Sequence, residues 1–212
     1  SVKSLVTIPE DKWMYLSFAV NQENDYASLS AVCAYDEFVL DLFVDEKIAP
    51  YTGNGTLTLG EDLNAAIHEL TLWNYARSSN EALSEIYTTK SPYTTGLIGY
   101  WKLDEGHGTS GKDCVRNRHL FISGTNSWYL ENDNDALVLD ENNYVTMNVA
   151  HCPTNSDDNY LIEFWFKGDE SNEAKSLTSM HSDAGSLNVR LNADGNIEIE
   201  TSYGTYSNTY VN

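Results

Sequence analysis

The chain has 212 residues, 41% of them hydrophobic and 12% aromatic, so it can build a real core and is not a disordered acidic tail. Its 32 acidic against 12 basic residues give a formal charge of −20, which repels phosphate backbones and anionic headgroups and argues against nucleic acid or membrane surfaces as partners. Calcium and neutral glycans stay open as ligands, and no apolar run approaches the roughly 18 residues of a membrane span.

In chain order, "SVKSLVTIPEDKW" lacks the apolar stretch of a signal peptide, so any export signal is expected to have been removed or to lie outside this chain. "MYLSFAV" then alternates, with Met14, Leu16, Phe18 and Val20 on one face, the pattern of a half-buried strand. The same template fits "FVLDLFVDE" (38–46), "TLTLG" (56–60) and "HELTLWN" (68–74), with a turn signal at "TGNG" (52–55). One helix is expected in "SSNEALSEIY" (78–87). Ser78 is its N-cap, Glu81 completes a capping box, and Leu83 and Ile86 face the sheet. "TTKSPYTT" has no period and reads as a crossover. Further strands are expected at "YVTMNV" (144–149), "LIEFWF" (161–166), Leu187–Val189–Leu191 and "NIEIET" (196–201). "ADGN" (193–196) offers an Asp-Gly pair for a two-residue hairpin. Many short strands with one helix mean an all-β sandwich or barrel.

The stretch "GLIGYWKLDEGHGTSGKDCVRNRHL", beginning at Gly96, resembles the first strand and loop of laminin G-like, concanavalin A-like domains of bacterial surface proteins. "NDALVLDENNYVTMN", "LIEFWFKG" and "GSLNVRLNADGNIEIET" are similar to the strands that follow in that family. The family's later elements stand upstream: "DKWMYLSFAVN", "LDLFVDEK" with Glu46 where glycine is usual, and "GTLTLG…AAIHELTLWNYARSSNEAL". Residues 1–91 thus resemble a C-terminal half, 92–95 a linker and 96–212 an N-terminal half. The chain is either a slice across two tandem modules or a circularly permuted one.

A half-sandwich would leave apolar faces wet at about 25 cal/mol per Å². The halves are therefore expected to complete one two-sheet antiparallel β-sandwich of jelly-roll type with one short helix, as a monomer or a domain-swapped dimer. The resemblance implies a noncatalytic recognition or adhesion module of an exported or cell-surface protein, with a glycan or surface protein as partner. The alternative is a structural spacer in a multidomain array.

Candidate sites are few. Glu198 and Glu200, two apart on one strand face, have the roughly 5 Å spacing of retaining glycosidases, but they alternate with Ile197 and Ile199 as a solvated face does, so no enzyme is expected. His68, His107, His119, His151 and His181 show no zinc spacing and read as surface or loop residues. No cofactor is required. Calcium is possible at "ENDNDA" (131–136), "LDENN" (139–143) or "NSDDN" (155–159), which are rich in oxygen donors that also serve as turn residues. By the family's wording, Asp113 and Asn117 are metal candidates. Tyr203, Tyr206 and Tyr210 are candidates for stacking on sugars or for packing as an edge strand. Trp13, Trp73, Trp101, Trp128 and Trp165 are assigned to the core. Cys33, Cys114 and Cys152 allow at most one internal disulfide, and free thiols are the simpler expectation.

Overall fold

A computed structural model describes residues 2–21, 26–33, 39–45, 56–125, 127–130, 135–148, 159–168, 174–182 and 185–201. The fold is an all-β sandwich of two packed antiparallel sheets, with one short helix among the described residues. In chain order the strands are β1 (Val2–Thr7), β2 (Met14–Asn21), β3 (Tyr26–Cys33), β4 (Val39–Asp45), β5 (Thr56–Leu59) and β6 (Ala65–Trp73), followed by the helix α1 (Ser79–Ser84). Then come β7 (Leu97–Trp101), β8 (Ser110–Gly111), β9 (Leu120–Gly124), β10 (Ser127–Tyr129), β11 (Ala136–Leu139) and β12 (Asn143–Asn148). The last four are β13 (Tyr160–Gly168), β14 (Lys175–Ser182), β15 (Gly185–Leu191) and β16 (Asn196–Thr201).

The first sheet runs β1-β16-β15-β14-β5-β12-β9-β8 and the second β10-β11-β6-β13-β2-β3-β4. Strands from residues 1–91 and from 96–212 are interleaved in both. In the second sheet β6 pairs with β11 through Ala65–Ile67 and with β7 through Leu70–Trp73. Between these stretches sits a one-residue bulge at Glu69, whose φ is 55°, and its N–H turns to the Lys102 carbonyl. A bulge bends a strand and frees a length of its edge, which lets two successive partners share β6.

The sandwich interior is filled by the inward residues of both sheets, among them Leu16, Phe18, Ile67, Ile162, Phe164 and Phe166 from one, and Leu57, Leu59, Val145, Val189, Ile197 and Ile199 from the other. Alternation places these residues correctly. It also predicts β2 as half-buried, and here the structure differs: Met14 to Val20 are all buried, as are Leu161 to Phe166. The outer face of the second sheet is itself covered. Ile86 packs on Tyr15 and Trp165, while Trp73, Leu97, Tyr100, Ala19 and Leu161 form another cluster with Ala76 and Cys114. Segment 74–90, which carries α1, closes that face. Periodicity reports only which residues share a face, and a segment distant in sequence decides whether that face is wet.

Helix α1 has the expected capping box: Glu81 N–H donates to Ser78 Oγ at 3.3 Å and Ser78 N–H to Glu81 Oε2 at 2.9 Å. It ends at Ser84, short of the expected span. The β15–β16 hairpin lies where expected but is not a two-residue turn. Only Gly195 has positive φ (76°), and Asn192 Oδ1 accepts the Asp194 and Asn196 N–H groups, the layout of a longer loop with one left-handed glycine.

Gly124 ends β9 at φ 85°, and a Cβ there would meet the Asn142 carbonyl oxygen. Gly124→Ala combines left-handed strain with a backbone clash, for an expected loss of about 2 to 3 kcal/mol by chemical denaturation. An alanine variant as stable as the parent would show that this turn can be rebuilt freely.

Candidate functional site

The solvent-facing side of the first sheet carries a polar row running across the strands. Register pairs Glu200 with Asn188, Asn188 with Ser179, Ser179 with Thr58, Thr58 with Thr146, and Thr146 with Phe121. The alternate positions, Ile199, Val189, Leu57, Val145, Leu120 and Ile122, are buried in the core, which forces the row outward. Ser179 (3% exposed) and Thr58 (8%) form a nearly closed floor, whereas Phe121 (63%) stands open at the far end. Tyr144, 39% exposed, sits diagonally across the β9–β12 pair on the same face. Three strand spacings of about 4.8 Å separate Ser179 from Phe121, roughly 14 Å.

At the other end of the row the surface sinks into a cavity of about 280 Å³. Ser179 lines it, with Lys175, Asn188, Arg190 and Glu200 on the strands and Glu61 and Asp62 from the turn after β5. Arg190 is fixed there: its guanidinium contacts Glu200 Oε1 at 2.7 Å and Glu198 Oε2 at 3.1 Å, and Asn192 Nδ2 donates to Glu198 Oε1 at 3.0 Å. Ser179 Oγ is buried and has no hydrogen-bond partner among the described residues. A buried hydroxyl in that state costs about 1–3 kcal/mol, which marks the position as one where an outside partner would be taken up.

Glu198 and Glu200 do share one face, as the sequence suggests, and Arg190 binds both of them. One guanidinium is thus shared by two carboxylates and compensates only one of their two negative charges.

Asp113 lies buried beside β7, where its carboxylate gathers the loop. Oδ1 accepts the N–H groups of Tyr100 (3.2 Å) and Val115 (2.8 Å), and Oδ2 those of Arg116 (3.1 Å) and Arg118 (3.2 Å). A carboxylate offers about four lone-pair sites, and backbone donors occupy all of them. Asn117 is exposed at φ 57° in the same turn. In "LDENN", Asp140 Oδ1 accepts the Asn142 N–H and Asn143 Oδ1 the Asp140 N–H, which is turn chemistry. Among the described residues no three His, Cys, Asp or Glu side chains gather as metal ligands. Residues 131–134 and 155–158 of the other two acidic stretches, and Tyr203, Tyr206 and Tyr210, lie outside the described residues.

His68 is half-buried in a strand rather than placed in a loop or on the open surface. It lies in β6, edge-on to Trp13 at 4.8 Å and parallel to Trp165 at 6.1 Å, and burial lowers its pKa to about 4, so it is neutral at pH 7. His107 and His119 are exposed, and His151 lies outside the described residues. Trp73, Trp101 and Trp165 are buried; Trp13 and Trp128 only partly so. Cys33 is in the core, the half-buried Cys114 is a free thiol whose pKa burial raises, and Cys152 lies outside the described residues.

Sequence reading passes over one charged group altogether. Glu163, at the centre of "LIEFWF", is fully buried under segment 74–90. It accepts hydrogen bonds from Trp73 Nε1 (2.8 Å), Thr71 Oγ1 (3.2 Å) and Ser17 Oγ (3.4 Å), and Arg77 Nη1 is 3.8 Å away. Arg77 also lies over the Trp73 ring at 5.0 Å and reaches Glu85 at 2.9 Å. The available signal was a lone carboxylate inside an apolar run, which cannot be buried without partners.

No protein-family model matches the chain, and no curated protein matches it. The site therefore stands on its own chemistry: a polar row, two open aromatic rings at one end and a small polar cavity at the other.

Proposed function

We propose that this chain is a noncatalytic recognition module of an exported or cell-surface protein and that it binds glycan on the solvent-facing side of its first sheet. The observation that carries the reading is the exposure of Phe121 and Tyr144, diagonal neighbours on one face, at the end of a row of hydroxyl and amide side chains. Sugar rings present apolar C–H faces and polar rims, and a surface that alternates aromatic faces with hydroxyls and amides matches both. The net charge of −20 disfavours acidic polysaccharides and leaves neutral ones. The ordered likeness of several segments to laminin G-like domains supports an adhesive setting, and the capture of Glu198 and Glu200 by Arg190 supports binding without cleavage.

A glycan array followed by titration calorimetry tests this. Phe121→Ala is expected to weaken binding of the best neutral glycan about three- to tenfold, because a stacked ring contributes about 0.5–1.5 kcal/mol. Thermal stability should hold, since the ring is exposed in the free protein. If no glycan binds the parent chain, the recognition reading fails and the spacer reading takes its place.

A further inference from the structure

We infer that the cavity beside β14 is a single-ring subsite, which takes one neutral sugar residue of a glycan whose chain continues along the row to Phe121 and Tyr144. The inference rests on the reading of this face as a glycan surface and goes beyond it by assigning a second, chemically distinct contact that sets which sugar is accepted.

Size is the first argument. At about 280 Å³ the cavity lies just under the roughly 300–1,000 Å³ of ordinary small-ligand sites, enough for one ring and too little for a chain. The chemistry of the wall is the second. Asn188, Arg190 and Lys175 offer N–H donors, Glu61, Asp62 and Glu200 offer acceptors, and Ser179 can act as either. A sugar hydroxyl donates and accepts at once, so it can satisfy such a mixed wall. An apolar ligand would leave Ser179 Oγ stranded. An anion would face the three carboxylates of Glu61, Asp62 and Glu200 against Lys175, with Arg190 already paired to Glu198 and Glu200.

Preorganisation is the third argument. Arg190 is held by two carboxylates, and Ser179 is set in the middle of the sheet between Asn188 and Thr58, so neither must be ordered when the ligand arrives. Finally, the cavity and the aromatic pair lie on one face of the sheet, joined by Thr58 and Thr146 about 14 Å across. A ligand reaching both must be an oligosaccharide laid across the strands.

The test uses the whole chain with glucose, galactose, mannose and N-acetylglucosamine, each alone and as a linear oligosaccharide, titrated by calorimetry with thermal midpoints recorded in parallel. Ser179→Ala removes an unpartnered buried hydroxyl, so the free protein should melt no lower than the parent. Affinity for one of the single sugars should fall roughly tenfold. Asn188→Ala, at the cross-strand neighbour of Ser179, should weaken the same sugar and guards against a misfolded Ser179 variant. Phe121→Ala should spare the single sugar and weaken only its oligosaccharide.

If both cavity variants bind the single sugar as the parent does, the subsite is overturned. If Phe121→Ala weakens an oligosaccharide that the cavity variants bind normally, the glycan face stands and the subsite falls. If the parent binds none of these sugars at either length, both fall together.

Discussion

Arg77→Met is expected to destabilise the protein by about 3–5 kcal/mol, because it leaves the Glu163 carboxylate in the second sheet's covered face without its counter-charge. For a chain of this size that corresponds to a fall of roughly 6–20 °C in thermal midpoint. The neighbours of Glu163 explain why the charge is tolerated in the parent. Trp73, Thr71 and Ser17 donate hydrogen bonds, and Arg77, itself buried, is anchored by the Glu81 carbonyl and by Glu85.

The loss should depend on pH. Burial holds the Glu163 pKa above the ordinary carboxylate value of 4.5, and Arg77 is the first-ranked influence pulling it back. A carboxyl whose folded pKa is raised contributes stability that is complete below the unfolded value, about 4.3, and lost as pH rises through the folded value. Removing Arg77 raises the folded value further. The Arg77→Met penalty should therefore be larger at pH 8 than at pH 5, measured by chemical denaturation. Adding Glu163→Gln, which keeps an acceptor for Trp73 and carries no charge, should recover much of the loss at pH 8. A penalty equal at both pH values and unchanged by Glu163→Gln would mean that Arg77 acts through packing on Trp73 alone.

Asp113→Ala should cost about 3–5 kcal/mol. It removes the shared acceptor of four backbone N–H groups, each worth about 1–3 kcal/mol if stranded, and water can reach part of the loop. Asp113→Asn keeps one oxygen but turns an amide NH₂ toward donors, and about 2 kcal/mol is expected. Calcium separates this turn-closing role from metal ligation. With all four lone-pair sites taken, saturating calcium should not change the difference in midpoint between parent and Asp113→Asn. A calcium-raised midpoint in the parent that disappears in the variant would make Asp113 a ligand and overturn the assignment.

The proposed site was only partly legible before folding. "NIEIET" correctly placed Glu198 and Glu200 outward, but nothing local said that Arg190 on β15 would bind both. Phe121, in "HLFISG", looks like any strand aromatic. It becomes a candidate only because its neighbours Leu120 and Ile122 claim the core and β9 lies near the sheet's edge. Ser179 is a serine in a polar stretch that gave no strand signal, and β3, rich in Ala and Ser, was missed for the same reason. Both strands exist because neighbours pair with them, so propensity carries little of their stability.

By itself the sequence determined the class of fold, the positions of eight of the sixteen described strands, the capping box of α1 and the inward face of each alternating segment. These follow from period-two patterning and from side-chain hydrogen bonds that act within a few residues. Tertiary structure alone decided that segment 74–90 would cover the second sheet and bury Glu163, and that Glu200, Asn188, Ser179, Thr58, Thr146 and Phe121 would form one row. The physical reason is register. A shift of one residue in any pairing would turn that strand's contribution to the row into the core, and what fixes the register is the fit of the whole buried interior.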